Sequence, residues 1–279
     1  MILSIAVALC ASLLIATTHV IVKLAASKIH PLFVNYFRLT TAALVLSPVL
    51  VSSRNLAEVN MTTMLTMLYT ALVGPVLAWY LYTEALRRGL VSILHPIANS
   101  YPIMAMFLSY ILLGSTIRVK HIVASLLVLV GVILVTRRSG SVKFRWKPIM
   151  LTTLSALLWS SNVIAFKLLT YSLTNLEIAV MRAITALAIM SPLVLPRIQE
   201  VNLRKLKLVL LAGLVGDVIG FTTWITAIDM GPLPVVMPIM ATAPIISAML
   251  SKLFLSEELT KLRIVGIIVA CIGVSLLSI

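Results

Sequence analysis

Apolar residues run along this chain in long stretches separated by short polar segments. Ten such stretches can be drawn, near residues 3–25, 31–51, 62–86, 90–113, 119–136, 148–170, 176–195, 208–229, 233–254 and 262–278. Each comes close to the roughly 17–25 residues that a helix needs to cross a hydrocarbon core. The pattern therefore predicts an all-α membrane protein with ten transmembrane helices. Ala25-Ala26-Ser27 after the first stretch imitates a signal-peptide cleavage site, but no basic residue precedes Lys23. The first stretch is thus expected to be a retained helix.

The pattern is written twice. Lys23, Arg38, Thr41-Ala42 and Ser47-Pro48 recur 144 residues on as Lys167, Arg182, Thr185-Ala186 and Ser191-Pro192. After a two-residue shortening, Gly74, Ala85, Gly89, Pro96, Pro102 and Gly131 recur 142 residues on as Gly216, Ala227, Gly231, Pro238, Pro244 and Gly273. Two five-helix units follow, over 1–136 and 148–279, joined by 137–147. Because five is odd, the second unit must cross the membrane in the opposite sense, which makes the pair an inverted repeat. The best repeated stretch is GLVSILHPIANSYP at Gly89–Pro102 and GPLPVVMPIMATAP at Gly231–Pro244. Proline removes a helical donor and crowds the preceding turn, so each copy is expected to be a broken helix. Freed backbone groups at membrane depth survive only against protein or a water-filled cavity. Such interrupted segments at matching places in two halves point to a transport site between them.

Composition sharpens this picture. Of 279 residues, 61% are hydrophobic and 11% charged, more apolar surface than a single soluble core would absorb. The net charge of +14 would suggest a nucleic-acid partner in a soluble chain, but here the excess lies in short loops. Sorting loop residues by side places Lys28, Arg87, Arg88, Arg137, Arg138, Lys143, Arg145, Lys147, Arg197, Arg204, Lys205, Lys207, Lys261 and Arg263 on one face. Arg54, Arg118 and Lys120 fall on the other, a 14-to-3 imbalance. The positive-inside rule then puts both termini outside the cytoplasm of a multi-pass cell-membrane protein. The expected partner of the basic face, including the linker RRSGSVKFRWK, is anionic lipid and not nucleic acid. Cys10 and Cys271 both sit in apolar runs and read as buried thiols.

Ionisable side chains inside apolar spans cost about 2.5–3.5 kcal/mol each on insertion scales, so each is a candidate for function. Lys23 and Lys167 lie near helix ends, where a long stem can instead reach the headgroups. Arg38 and Arg182 lie about two turns inside helices 2 and 7, where they either cap freed carbonyls and hold the fold or meet an anionic group of a solute. Asp217 lies near the middle of helix 8 between Gly216 and Gly220, the only acid at that depth. It is the candidate for proton coupling, with a protonated structural carboxyl as the alternative. Glu84, one turn before Arg87 and Arg88, is expected in an interfacial ion pair. His95 and Asn99 share a face of helix 4, and their counterparts on helix 9 include apolar Met237. Such unlike walls would orient a small amphipathic solute. His19 is a further candidate against a packing role. Of the aromatics Trp79, Tyr80, Tyr82, Phe221 and Trp224 on helices 3 and 8, ordinary packing is expected for most and one or two are expected to line the cavity, with Trp79, Tyr82 and Trp224 as the leading candidates.

These features resemble the drug/metabolite transporter superfamily, and within it the EamA-type exporters. The matching residues are WSSNVIAFK at Trp159–Lys167, close to that family's W-G-x-N-x4-K pattern, and the weaker IATTHVIVK at Ile15–Lys23. Arg38, Arg182, the Ala-x3-Gly of Ala85–Gly89 and Ala227–Gly231, and LSEELT at Leu255–Thr260 also match. The resemblance covers nearly the whole chain and adds Asn162 to the candidate binding residues. Two departures stand out. Ser115 replaces the acid that Glu257 retains, and the loop after helix 2, SSRNLAEVN, lacks the basic character that goes with cytoplasmic termini in that family.

The leading expectation is a secondary transporter that moves a small polar or amphipathic metabolite by alternating access, as an exporter if the resemblance holds. No phosphate loop of the form G-x4-G-K-[ST] is present, and no cofactor or metal is called for. An intramembrane enzyme would need paired acids, H-E-x-x-H or G-x-S-x-G, none of which the chain contains. A lipid or lipid-linked sugar flippase has the same architecture and remains the alternative. The expected assembly is a monomer or weak homodimer.

Overall fold

The computed structural model describes residues 2–53, 59–113, 118–136, 146–201, 206–231, 236, 239–240 and 243–276, and every regular element among them is helical. The main helices are α1 (Ile2–Ala26), α2 (Pro31–Leu46), α3 (Met61–Arg88), α4 (Val91–Leu112) and α5 (Val119–Thr136). They continue with α6 (Trp146–Leu169), α7 (Asn175–Val194), α8 (Lys207–Met230), α9 (Ala243–Leu255) and α10 (Lys261–Ser275). Among the described residues, six spans are long and apolar enough to cross a membrane: Leu3–Ala26, Met61–Arg88, Val91–Leu112, Trp146–Leu169, Asn175–Gln199 and Lys207–Met230. Pro31–Leu46 and Ala243–Leu255 are shorter apolar helices. Residues 137–145 of the linker lie outside the described residues, and α6 begins at Trp146, inside the segment read as linker.

Local chemistry sets the helix ends. Asn60 caps α3 by accepting from the Thr63 amide at 2.8 Å. Thr174 and Glu177 form a reciprocal capping box at the start of α7, with Thr174 N donating to Glu177 at 2.7 Å and Glu177 N donating to Thr174 at 3.3 Å. Two helices are widened in mid-course. Over Leu72–Ala78 and Gly213–Gly220 the backbone makes π turns, closed by Trp79 N donating to Gly74 O and by Phe221 N donating to Gly216 O. In α3 the cause is Pro75, which has no N–H for the α-helical bond. α4 is interrupted at Asn99 and Ser100, between Pro96 and Pro102, as its proline spacing predicts.

The packing pairs each helix of the first half with helices of the second. α1 lies on α8 and α9, and α6 lies on α3 and α4; α2 crosses α7 and α8, and α7 contacts α3. α5 and α10 form the most extensive pairing of all. Glycines admit the closest crossings. Gly216 faces the Thr18 side chain of α1, and Gly74 faces Asn162 of α6, the residue 144 positions after Thr18. The outer faces carry large exposed apolar side chains such as Leu13, Leu44, Leu65, Ile133, Leu157 and Leu253, which suits lipid and not water. Cys10 is on such a face and Cys271 is buried. The expectation of two buried thiols fails at Cys10 because an apolar run is as compatible with a lipid-facing surface as with a core.

The α3–α4 turn is clamped from both sides. Lys23 of α1 donates to the carbonyls of Leu86 and Gly89, the latter at 2.6 Å. Glu257 accepts from the amides of Val91 at 2.8 Å and Ser92 at 2.9 Å, so a carboxylate sits at the N-terminus of α4. In the second half, Lys167 likewise donates to Ile228 O at the end of α8, at 3.1 Å. Ser115, which stands where Glu257 has its counterpart, lies outside the described residues. Glu257→Ala orphans two amide donors at a helix start and is expected to cost about 2 kcal/mol. Thermal melting of the detergent-solubilised protein should show it as a lowered midpoint.

Candidate functional site

The helices enclose a cavity of about 860 Å³, its open side included. Its wall comes from both halves: Thr18 and His19 of α1, Arg38 of α2, Gly74, Pro75 and Trp79 of α3, and His95, Asn99 and Tyr101 of α4. The second half adds Trp159, Asn162 and Phe166 of α6, Arg182 of α7, Gly216, Asp217, Phe221 and Trp224 of α8, and Met240. Among the described residues, none of α5 or α10 lines it. A mostly apolar, aromatic wall with a few convergent polar groups is the ordinary makeup of a small-molecule site.

Its charged centre joins the two repeats. Asp217 receives Arg38 on Oδ2, from Nη2 at 2.8 Å and Nε at 2.9 Å, and receives Arg182 Nη2 on Oδ1 at 3.2 Å. The two arginines are each 2% exposed and the aspartate 4%. Each guanidinium also lies over a ring that follows a π turn. Arg38 Cζ is 4.1 Å from the Trp79 ring centre, and Arg182 Cζ is 3.6 Å from that of Phe221. Trp79 and Phe221 are themselves repeat counterparts, 142 residues apart. The π turns therefore serve the same end twice, presenting a flat ring to a buried cation.

The symmetry stops at two places. The position matching Asp217 is Pro75, so one carboxylate serves two arginines. The first half also carries two imidazoles that the second lacks. His19 and His95 have ring centres 4.0 Å apart; His19 Nδ1 is 3.2 Å from Tyr82 Oη, and His95 Nδ1 is hydrogen-bonded to Ser247. A polar string thus runs from α3 through α1 and α4 to α9. Trp79, whose ring centre is 5.5 Å from that of His19, lies 5.2 Å from Trp159, and Phe166 stands 5.5 Å from Trp224. Asn162 donates to Thr70 O at 3.2 Å, but its buried Oδ1 has no partner. Among the described residues there is no group of three or more His, Cys, Asp or Glu side chains that could hold a metal ion.

The EamA-like transporter family model matches residues 2–137 and again 146–279. The chain belongs to the EamA-like transporter family. An uncharacterized transporter of Archaeoglobus fulgidus is 23% identical over 225 residues, 78% of this chain and 77% of its own length. A solved crystal structure, 17% identical, superposes with a TM-score of 0.75 over 98% of this chain and 95% of its own, which speaks to the fold. With its apolar helices, family membership makes this EamA-like chain a multi-pass membrane transporter.

Of the residues singled out from sequence, the EamA-like fold brings His19, Arg38, Trp79, His95, Asn99, Asn162, Arg182, Asp217 and Trp224 to one cavity wall. Tyr82 is not on that wall; it is fully buried behind His19. Lys23 and Lys167, both half-buried, hold helix-end carbonyls. Met237 lies outside the described residues. Glu84 pairs with Arg88 and with Arg87, the latter at 2.9 Å, as the helical spacing predicts. Sequence reasoning passed over the cavity roles of Thr18, Tyr101, Trp159 and Phe166, while Phe221, weighed among the aromatics of helices 3 and 8, does line the cavity. The repeat also marks Trp79 and Phe221: Leu72-Val73-Gly74 and Leu214-Val215-Gly216 are identical tripeptides at the 142-residue offset, each five residues before one of these rings.

Proposed function

We propose that this protein is a secondary transporter in which ten spans, arranged as two inverted five-helix repeats, alternate access to the cavity around Asp217. The observation that carries the reading is the meeting of Arg38, from one repeat, and Arg182, from the other, on a single buried carboxylate. A rocking motion between halves must strain this junction, so the occupancy of the cavity and the relative position of the halves are coupled there. A proton added to Asp217 breaks both ion pairs at once, which makes it the coupling group. The solute is a small polar or amphipathic metabolite: aromatic rings supply an apolar lining, and His95 and Asn99 add hydrogen-bonding groups to it. The direction is export, in the cell membrane, with both termini outside the cytoplasm and the basic loops facing cytoplasmic anionic lipid.

A thermal-shift screen of wild type and His95→Ala against amino acids, nucleosides, sugars and amphipathic drugs tests the site. Stabilisation by one class, lost in His95→Ala, supports a solute held in this cavity; a shift unchanged by the substitution moves the solute elsewhere. Reporter fusions test the orientation separately. A C-terminal reporter that is active only in the cytoplasm overturns the topology and leaves the transport reading in place.

A further inference from the structure

Counting charge in the cavity leaves a remainder. Two guanidinium groups face one carboxylate, and among the described residues Asp217 is the only acid on the wall. Four other acids have separate posts: Glu84 with Arg87 and Arg88, Glu177 in the α7 cap, Glu257 at the start of α4, and Asp229 with Asn175. His19 and His95 supply no negative charge. One positive charge is therefore buried with only rings to offset it, which is costly unless an anion completes the set.

The two arginines are not equally engaged. Arg38 spends both Nε and Nη2 on Asp217, whereas Arg182 gives it Nη2 alone and keeps a buried Nε without a partner. We infer that the cavity takes a solute bearing a single negative charge on an apolar, ring-sized body, with Arg182 as the anion's partner. The anion takes the free edge of the Arg182 guanidinium, where it can accept charge-assisted hydrogen bonds. The body lies among Phe221, Trp224, Phe166 and Trp159, whose faces give it an apolar bed. A cation is repelled by the remainder of positive charge, and a neutral isostere leaves Arg182 unpaired. This assignment rests on the reading of the cavity as the transport site, and it names the class of solute.

Three compounds with one body and three charges test it: 3-phenylpropionate, 3-phenylpropionamide and 3-phenylpropylamine, titrated calorimetrically into the full chain in detergent at neutral pH. The acid should bind about tenfold or more tighter than the amide, the worth of one charge-assisted bond, and the amine more weakly than the amide. Arg182→Gln should erase the preference for the acid, bringing acid and amide to within about threefold of each other. Asp217→Asn, which removes the competing carboxylate, should shift the other way and tighten the acid; it also decides the matter should Arg182→Gln not fold. Equal binding of the three compounds, tightest binding of the amine, binding of none, or a preference that survives Arg182→Gln overturns the inference. Counterflow into proteoliposomes separates the two layers. Charge-selective binding without movement of the acid rejects the transport reading alone, while movement without charge preference rejects the anion assignment alone.

Discussion

Asp217→Asn is expected to abolish accumulation of solute driven by a pH gradient while leaving exchange of solute down its own gradient. The amide cannot take up and release a proton in the working range, yet it nearly matches the carboxylate in shape. In the wild-type protein the carboxylate ties Arg38 of α2 to Arg182 of α7, so its loss also loosens the contact between halves. Removing one partner from a buried ion pair costs about 3–5 kcal/mol. The asparagine oxygen still accepts from one arginine, and Trp79 and Phe221 still cover the guanidinium faces, which puts the expected loss near the lower end. Melting in detergent reads that loss, and counterflow in proteoliposomes shows that the variant has kept its fold. If the variant accumulates solute on a pH gradient as well as wild type, Asp217 is a structural tie and the proton enters elsewhere.

The three-charge junction shows where the sequence was legible and where it was not. The depth of Arg38, Arg182 and Asp217 inside apolar spans could be read from hydropathy, and their cost in lipid marked them as candidates. That they meet could not. Arg38 and Asp217 are 179 residues apart in the chain, and nothing local in either helix specifies the partner. The repeat was the stronger guide, because equivalent residues do equivalent work. For Lys23 and Lys167 a headgroup-reaching role stood beside a functional one, and both hold carbonyls at the C-terminal ends of α3 and α8, Leu86 and Ile228 being repeat counterparts. Where the repeat is imperfect it was least informative: Pro75 opposite Asp217 shows that one acid must serve twice only once the arginines are seen together. The proline spacing of α4 predicted its break, while the π turns of α3 and α8 left only a faint trace in the repeated Leu-Val-Gly. The ring faces over the arginines depend on those turns, so they too escaped a reading based on helical period.

Gly131→Leu is expected to separate stability from binding, with the larger stability effect at a place far from the cavity wall. α5 and α10 share the most extensive helix pairing in the protein, and Gly131 sits at its closest approach. A Cβ placed there would lie 2.5 Å from both Ala270 N and Gly266 O and 2.6 Å from Ala270 Cβ. Two of those atoms are backbone and cannot rotate aside, so the helices must move apart. Apolar side chains gain nothing from leaving lipid, and association of such helices relies on close packing of small residues. Overpacking ordinarily costs about 1–3 kcal/mol, and a leucine that forces two backbones apart should exceed that range, with Gly131→Ala falling inside it. A graded fall in melting temperature from wild type through Gly131→Ala to Gly131→Leu is the expected result. Since neither helix contributes a residue to the cavity, the folded fraction of each variant should bind solute with wild-type affinity. Unchanged melting of Gly131→Ala would show that the α5–α10 crossing yields without cost. Loss of binding in a variant that still melts cooperatively would show instead that this outer pair governs the cavity through α4 and α9, the helices packed against it.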